Sequence, residues 1–381
     1  VIYDNKVFLT TVEGLQKEKL HVLCYSLNTG EKLWDAVISS TNPEKNSYYI
    51  SRAAPTPVVD AHGVYAYFES GDVIACDLDG KVLWQQSLAK DYGKPENEFG
   101  LSASPVQTDA NIVILIDDAG PSYLVALNKQ TGAVSWKTDR TSRKSWSSPA
   151  IMNIGGAPQI VCSSDGSVDG YDPATGKLLW TYAEISGNTG TTPLPVGDGL
   201  FLISAGLGRE TTNVENAKKS NGLMKVTKEG DQWKADMVWR TTEATTSWAS
   251  PIVHQGLAYW INRAGVIFCF DVETGEKVYS QRIKQGGWAT PFAVGDHVYV
   301  FGKDGVTTVL AAGKEFKVLA ENQLWTPENP PKDTILEGLV ETDPQKLAGA
   351  AIFANPIQYG VAIVNNHIII RTGTMVFCIN K

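Results

Sequence analysis

A short segment ending in tryptophan recurs along this chain: SLNTGEKLW ending at Trp34, DLDGKVLW at Trp84, NKQTGAVSW at Trp136, DPATGKLLW at Trp180, and DVETGEKVY with Tyr279 in the tryptophan place. Each copy joins an apolar run, an Asp/Asn-Gly type of turn and a second apolar run carrying an aromatic. The copies lie about 45 to 50 residues apart, the period of one four-stranded propeller blade. A unit of that size cannot bury its apolar face alone, so neighbouring units must stack and share a core. The repeat therefore predicts an all-β chain, an eight-bladed β-propeller of four-stranded antiparallel blades in one domain over 1–381.

The blade count comes from the lead-ins to the inner strands. Proline precedes Val58, Val106, Ala150, Leu194, Ile252, Phe292 and Ile357, and proline suits the first residue of a strand because its missing N–H costs no ladder hydrogen bond there. With a strand starting near Val1, that makes eight. The fifth repeat is degenerate, with Thr227-Lys228-Glu229-Gly230 replacing the usual turn before Trp239; the seventh keeps Gly313 but loses the tryptophan. The eighth stops after its third strand, so the last blade is expected to lack its outer strand in this chain, and a segment upstream of Val1 is expected to have been removed.

Charge is mildly acidic, 33 Lys and Arg against 41 Asp and Glu for a formal net charge of −8, with no basic block. That excludes a nucleic-acid surface and a polybasic membrane-binding face. The most apolar stretches, Asn111–Ile116 and 361–370, fall short of the roughly 20 apolar residues of a spanning helix, so no membrane span is expected. The chain reads as a monomer. Aligning the turns puts Cys24, Cys269 and Cys378 in one slot that Ala126 and Gly170 fill elsewhere. Equivalent positions of different blades lie too far apart for a disulfide, so all five cysteines are expected to be small buried thiols.

Long connections fall at 11–20, 39–53, 89–102, 204–222 and 325–350, and in a four-stranded meander these emerge on one face. Loops on a rigid scaffold are where binding concentrates. The same face receives Ser145-Trp146-Ser147-Ser148-Pro149, Ser247-Trp248-Ala249-Ser250-Pro251 and Gly287-Trp288-Ala289-Thr290-Pro291, each setting an indole at the top of an inner strand. Such an aromatic rim suits a sugar ring or another flat, partly apolar ligand; the indoles also have a plain packing role between strands. Arg52, Arg140, Arg143, Arg263, Lys303 and Arg371 are expected near the same mouth, together with Asp117 and Asp118. Their forked donors suit anionic groups, or they pair with Asp117, Asp118 and Glu243 as rim salt bridges. The candidate ligand-binding set is Arg52, Arg140, Trp146, Trp248, Arg263, Trp288 and Arg371, and Asp117 is the candidate acid, a general base or a calcium ligand. Residues 325–350, with Pro327, Pro330 and Pro331, are long enough for a lid.

Catalytic patterns are otherwise missing. The five histidines are scattered singly, and no nucleophile elbow, P-loop or dinucleotide fingerprint appears. No metal site is expected.

Taken together, the proline lead-in, the Gly-Asp turn and the Asp-x-x-Thr-Gly-x-x-x-Trp ending resemble the pyrroloquinoline-quinone-type β-propeller repeat over essentially the whole chain. The order of elements, including Trp136-Lys137-Thr138-Asp139-Arg140, is similar to secreted bacterial propellers of the quinone-repeat and outer-membrane-assembly-lipoprotein-like kind. The resemblance implies a periplasmic or extracellular protein. Quinoprotein dehydrogenases of this superfamily are longer, and the alcohol enzymes pair adjacent cysteines over the cofactor; with no Cys-Cys pair and no recognisable calcium set, neither the quinone nor calcium is expected here. The assembly lipoproteins are non-catalytic scaffolds. The resulting expectation is an exported binding or scaffold propeller engaging a carbohydrate-like ligand or a protein partner, with a funnel-centred quinone- or metal-dependent oxidoreductase or sugar-modifying enzyme as the alternative.

Overall fold

The computed structural model describes residues 1–46, 53–97, 99–207, 211, 213–326, 328–331, 338, 340–344, 347 and 360–380. The chain is an eight-bladed β-propeller. Seven sheets have four antiparallel strands in meander order, here strands a to d, and the eighth has three. Blade 1 consists of Ile2–Tyr3, Lys6–Glu13, Lys19–Ser26 and Lys32–Ser39. Blades 2 to 7 span 58–87, 106–139, 150–182, 194–241, 252–282 and 292–323, and blade 8 is Gly360–Val364, His367–Arg371 and Val376–Asn380. Strand a begins at Val58, Val106, Ala150, Leu194, Ile252 and Phe292, immediately after each proline; Ile357 lies outside the described residues. Two five-residue helices, Leu88–Tyr92 and Val214–Lys218, are capped by Ser87 and Asn213. They fall in the long connections at 89–102 and 204–222. In blade 1, strands b and c extend into 11–20 and leave a turn of only 14–18.

The chain packs as two compact units, Val1–Lys144 with C-terminal residues including 362–380, and Ser145–Pro331 with residues including 360 and 361. In the first, the facing sheets of blades 1 and 2 enclose Phe8, Val22, Val64, Ile74 and Cys76, and those of blades 2 and 3 enclose Tyr65, Tyr67, Val73, Ile112, Ile114 and Val125. In the second, Phe201, Met224 and Trp180 lie between blades 4 and 5 and Tyr259, Ile267 and Val300 between blades 6 and 7. Blades 5 and 6 close on Leu202, Trp260 and Phe270.

One device joins blades 1 and 2, 2 and 3, and 5 and 6. In blades 1, 2, 3, 4 and 6 the Asp, Asn or Ser that opens the c–d turn folds the turn around its side chain: Asp271 accepts from the backbone N–H groups of Glu273 and Thr274 at 3.1 Å, and Asn128 from Gln130 and Thr131 at 3.0 and 3.1 Å. The following glycine takes positive φ, +73° at Gly275 and +72° at Gly132. Its bare face receives the preceding blade's indole. A Cβ on Gly80 would stand 2.7 Å from Trp34, one on Gly132 2.7 Å from Trp84, and one on Gly275 2.6 Å from Trp239. Each indole N–H donates to the turn carbonyl: Trp34 to Leu78 at 3.1 Å, Trp84 to Lys129 at 2.7 Å and Trp239 to Val272 at 2.9 Å.

The residue opposite five of the repeat aromatics is small: Cys24 faces Trp34, Ala75 faces Trp84, Ala126 faces Trp136, Gly170 faces Trp180 and Cys269 faces Tyr279, whereas Leu223 faces Trp239 in the degenerate fifth repeat. At Gly170 even a methyl would lie 2.2 Å from the indole of Trp180.

The repeat tryptophans differ in burial, and the expectation of five buried thiols needs one correction. Trp136 and Trp180 are buried, but Trp34, Trp84 and Trp239 are only half-buried, because reaching the neighbouring turn carries the ring to the outer rim. Cys24, Cys76, Cys162 and Cys269 are free and buried, and burial pushes the thiols of Cys24 up to about 11 and of Cys76 and Cys269 up to about 12; Cys378 is also free but exposed, because its strand ends its sheet.

The degenerate fifth repeat has its own solution. Its strands Asn221–Glu229 and Gln232–Thr241 form a long hairpin, which withdraws the usual turn carbonyl. Trp180 turns inward instead, donating to Gln159 Oε1 at 2.7 Å and stacking on Phe201 with centroids 6.3 Å apart. In blade 7, Ala320 takes the aromatic's place opposite Val309, and Trp325, just past strand d, covers Gly305 of the same blade. Trp180→Ala is expected to cost about 3–5 kcal/mol by urea unfolding, since it removes a packed indole and strands Gln159; a loss below about 1 kcal/mol would show that this aromatic is not core.

Candidate functional site

The sequence-predicted residues sort into two environments, one in each unit. In the first unit they are engaged internally. Arg140 donates from Nε to Asp117 Oδ1 at 2.8 Å and from Nη2 to Oδ2 at 3.2 Å, a two-pronged pair with both side chains 1% exposed. Arg371 donates from Nη2 to the Thr10 carbonyl at 2.7 Å, tying blade 8 to blade 1. Asp118 takes backbone N–H groups of Glu96 and Gly120 at 2.6 and 3.1 Å, and its carbonyl accepts from Arg143 N at 3.0 Å. Arg52 lies outside the described residues, as do Pro327 and most of 332–359.

Sequence reasoning missed a second buried pair in this unit, Lys17 Nζ to Glu69 Oε1 at 2.7 Å, with side chains 4% and 3% exposed. Burial raises the neighbouring Glu44 carboxyl against the pull of Lys17, and raises the Tyr67 phenol well above its ordinary range. No local pattern marks Lys17 or Glu69, which are 52 residues apart. Among the described residues, no group of three or more His, Cys, Asp or Glu is arranged to hold a metal ion. None of their helices is long and apolar enough to cross a membrane.

In the second unit the predicted residues point outward and meet. Trp248 and Trp288 lie with ring centroids 4.3 Å apart and planes inclined at 43°. The Arg263 guanidinium stands 5.7 Å from the Trp248 ring centre and Lys303 Nζ 5.7 Å from that of Trp288. Trp248 is 42% exposed, Arg263 is exposed, and Trp288 and Lys303 are half-buried.

Local backbone geometry explains the convergence. Each tryptophan precedes strand a of its blade, and each cation sits in the b–c turn of the same blade, at 262–265 and 302–305. Gly287 forms an antiparallel bridge with Gly302, which holds Trp288 beside the Lys303 turn. Gly286 passes so close to the Arg263 turn that a Cβ there would lie 1.8 Å from the Arg263 carbonyl oxygen. Only glycine permits that approach. Trp146 belongs to the same unit and is half-buried, with its backbone N–H on the Thr189 carbonyl at 2.6 Å. Its blade offers Asp165 in the b–c turn rather than a cation, and Asp165 Oδ1 accepts from Gly187 N at 3.0 Å.

The two indoles give a bent apolar surface and the two cations give it an anion-facing rim. Such a surface seats a partly apolar group carrying negative charge; cation–π contacts at exposed sites contribute about 0.5–1 kcal/mol each.

Comparison with known proteins gives the family. The family profile described as outer membrane protein assembly factor BamB matches residues 18–236 and 227–340. The chain belongs to this family. Assembly factor BamB of Alkalilimnicola ehrlichii is 24% identical over 206 residues, 54% of this chain and 48% of the relative. That of Kangiella koreensis is 30% identical over 113 residues, 29% of this chain and 26% of the relative. The chain thus spans about half or less of the curated relatives it matches. Among solved structures, BamB from Moraxella catarrhalis superposes with a TM-score of 0.62 at 13% identity, covering 99% of this chain and 94% of that one. Apo AztD from Citrobacter koseri gives 0.56 at 12%, covering 98% and 91%. At those identities the likeness is one of fold.

Two measurements check the site. Arg140→Met should destabilise the protein by about 3–5 kcal/mol, because Asp117 is left as a buried charge, and Asp117→Leu combined with Arg140→Met should recover much of the loss; equal losses in both would show that the pair is not the relevant contact. Gly286→Ala should part the indoles and change the tryptophan fluorescence spectrum with the far-ultraviolet circular dichroism unchanged. An unaltered spectrum would mean the close approach does not position Trp288.

Proposed function

We propose that this protein is a non-catalytic scaffold of outer-membrane-protein assembly, working on the periplasmic side, which holds a protein partner at the Trp248–Trp288 surface. The observation that supports it most is the outward pairing of two indoles with two cations on a chain whose overall charge is negative. Protein interfaces draw most of their energy from such aromatic and arginine anchors. The family supplies the context, since its description names an assembly factor. The reading includes no quinone or calcium: the candidate acid, Asp117, is already held through both oxygens by Arg140, which commits it to an internal contact.

The test is functional replacement. In a bacterium deleted for its own BamB, the chain fused to that protein's export signal and anchor should restore outer-membrane protein levels. Trp248→Ala with Trp288→Ala, or Arg263→Glu with Lys303→Glu, should abolish the rescue at unchanged protein abundance. Rescue by all variants would remove this surface from the function. Failure of the parent chain, together with retention of the protein on an acidic polysaccharide column that the tryptophan variants lose, would favour a carbohydrate ligand instead.

A further inference from the structure

The outward surface of the second unit differs from its surroundings in what its donors do. Arg263 and Lys303 have no carboxylate within ion-pair distance among the described residues, and neither side chain hydrogen-bonds to the protein. The other described arginines of the unit are engaged: Arg240 with Glu184 and the Tyr182 hydroxyl, and Arg282 with the Ala264 carbonyl. Neighbouring lysines are paired as well, Lys277 with Glu243 and Lys284 with Glu321. The Trp248 N–H also lacks an acceptor among the described residues, whereas those of Trp34, Trp84 and Trp239 sit on turn carbonyls. Two cations and an indole N–H without acceptors make a surface complementary to an anionic, acceptor-rich segment.

The backbone holds these donors in place. Asn262 Oδ1 accepts from the N–H groups of Ala264 and Val266 at 3.0 Å, which folds the turn and sets Arg263 at its tip. Arg263 N donates to Ser247 Oγ at 3.4 Å, fixing that tip beside the lead-in of Trp248. In blade 7, Lys303 N donates to the Gly286 carbonyl and Asp304 N to Gln285 Oε1, each at 3.2 Å. Each cation therefore stays beside its own ring. The path from Arg263 over the two ring centres to Lys303 runs in steps of 5.7, 4.3 and 5.7 Å.

We infer that this surface takes an acidic, extended segment of the partner protein, of the pattern acid-x-apolar-x-acid. Side chains of a strand alternate and each residue advances about 3.3 Å, so the first, third and fifth face one way over about 13 Å, a length that fits within the path. The apolar residue lies against the two indoles. One carboxylate meets the Arg263 guanidinium through both oxygens, the geometry that its fork favours, and the other meets the Lys303 ammonium. With a net charge of −8 the protein as a whole repels such a segment, which confines recognition to this spot. That the segment belongs to a protein rests on the scaffold reading above.

The probe is the peptide GDSLSDG, acetylated and amidated at its ends to remove their charges, titrated into the 381-residue protein and followed by calorimetry and tryptophan emission. Saturable binding that weakens about tenfold when the leucine becomes serine is the expected result. Raising the ionic strength from about 0.01 M to about 0.15 M shortens the screening length from about 30 Å to about 8 Å and should weaken binding severalfold. Arg263→Glu with Lys303→Glu should lose this peptide and gain its basic counterpart GKSLSKG, whereas Arg263→Gln with Lys303→Gln should lose the first without gaining the second, all at an essentially unchanged melting temperature. Absent binding, equal binding of both peptides by the parent protein, or retention of the acidic peptide by both charge variants would overturn the assignment. So would displacement by oligogalacturonate combined with indifference to the leucine, which would indicate a carbohydrate. If the peptide does not bind while the BamB replacement succeeds and needs these residues, the acidic segment fails and the scaffold reading stands. If the peptide binds with the charge swap and the replacement fails, the acidic specificity stands and the assembly role falls.

Discussion

Three of the blade junctions depend on one contact, an indole laid over the glycine of the next blade's turn with its N–H on the turn carbonyl. The hydrogen bond contributes about 0.5–1.5 kcal/mol net, while truncating a packed aromatic costs about 3–5 kcal/mol, so packing carries the energy and the N–H fixes the register. Everything near the contact is constrained by it. The opening Asp or Asn bends the turn with its side chain, the glycine takes positive φ, and the residue opposite the ring is small at Trp34 and Trp84, though Trp239 tolerates Leu223. Where one part is withdrawn, as by the long hairpin of blade 5, Trp180 keeps its burial and finds a new acceptor in Gln159. Burial of the ring is the stronger demand.

That hierarchy explains what could be read in advance. The turn signature is local in sequence, and the slot filled by Cys24, Ala126, Gly170 and Cys269 repeats with it, so blade count, strand order and inner-strand starts were legible. Partners set by a broken repeat were not. Nothing beside Trp180 points to Gln159, 21 residues earlier, and nothing marks Trp325 as a cover for Gly305 within its own blade. Charges behaved similarly. Arg140 and Asp117 were legible as candidates by residue type, but only three dimensions show that they satisfy each other, and Lys17 with Glu69 gave no sign at all. Gly286 carries its meaning entirely in an approach to a backbone 23 positions away, a distance along the chain that no turn motif spans.

The two units use their cations in opposite ways. In the first, Arg140, Lys17 and Arg371 spend their donors on buried carboxylates and backbone carbonyls, where desolvation offsets most of the Coulombic gain and the return is a fixed arrangement of chain. In the second, Arg263 and Lys303 stand over solvent-facing indoles. There each cation keeps much of its hydration and remains able to meet an anion from outside. Burial separates charges that hold the protein together from charges that address another molecule, and this is why residue type alone grouped Arg140 with Arg263.

Within the second unit the surface is confined by a departure from repetition. Arg263 follows Trp248, and Lys303 follows Trp288, by the same interval, so blades 6 and 7 carry one tryptophan–cation module twice. Blade 4 has the tryptophan, Trp146, without the cation, because its b–c turn offers Asp165 and that carboxylate is spent on the backbone of Gly187. A ring of identical modules would present the same chemistry on every blade and could not orient a partner. Two adjacent copies of the module, with a third lacking its charge, give a surface with a direction. A bound segment then has one end over Trp248 and the other over Trp288, and reversing it exchanges the forked donors of an arginine for the point charge of a lysine.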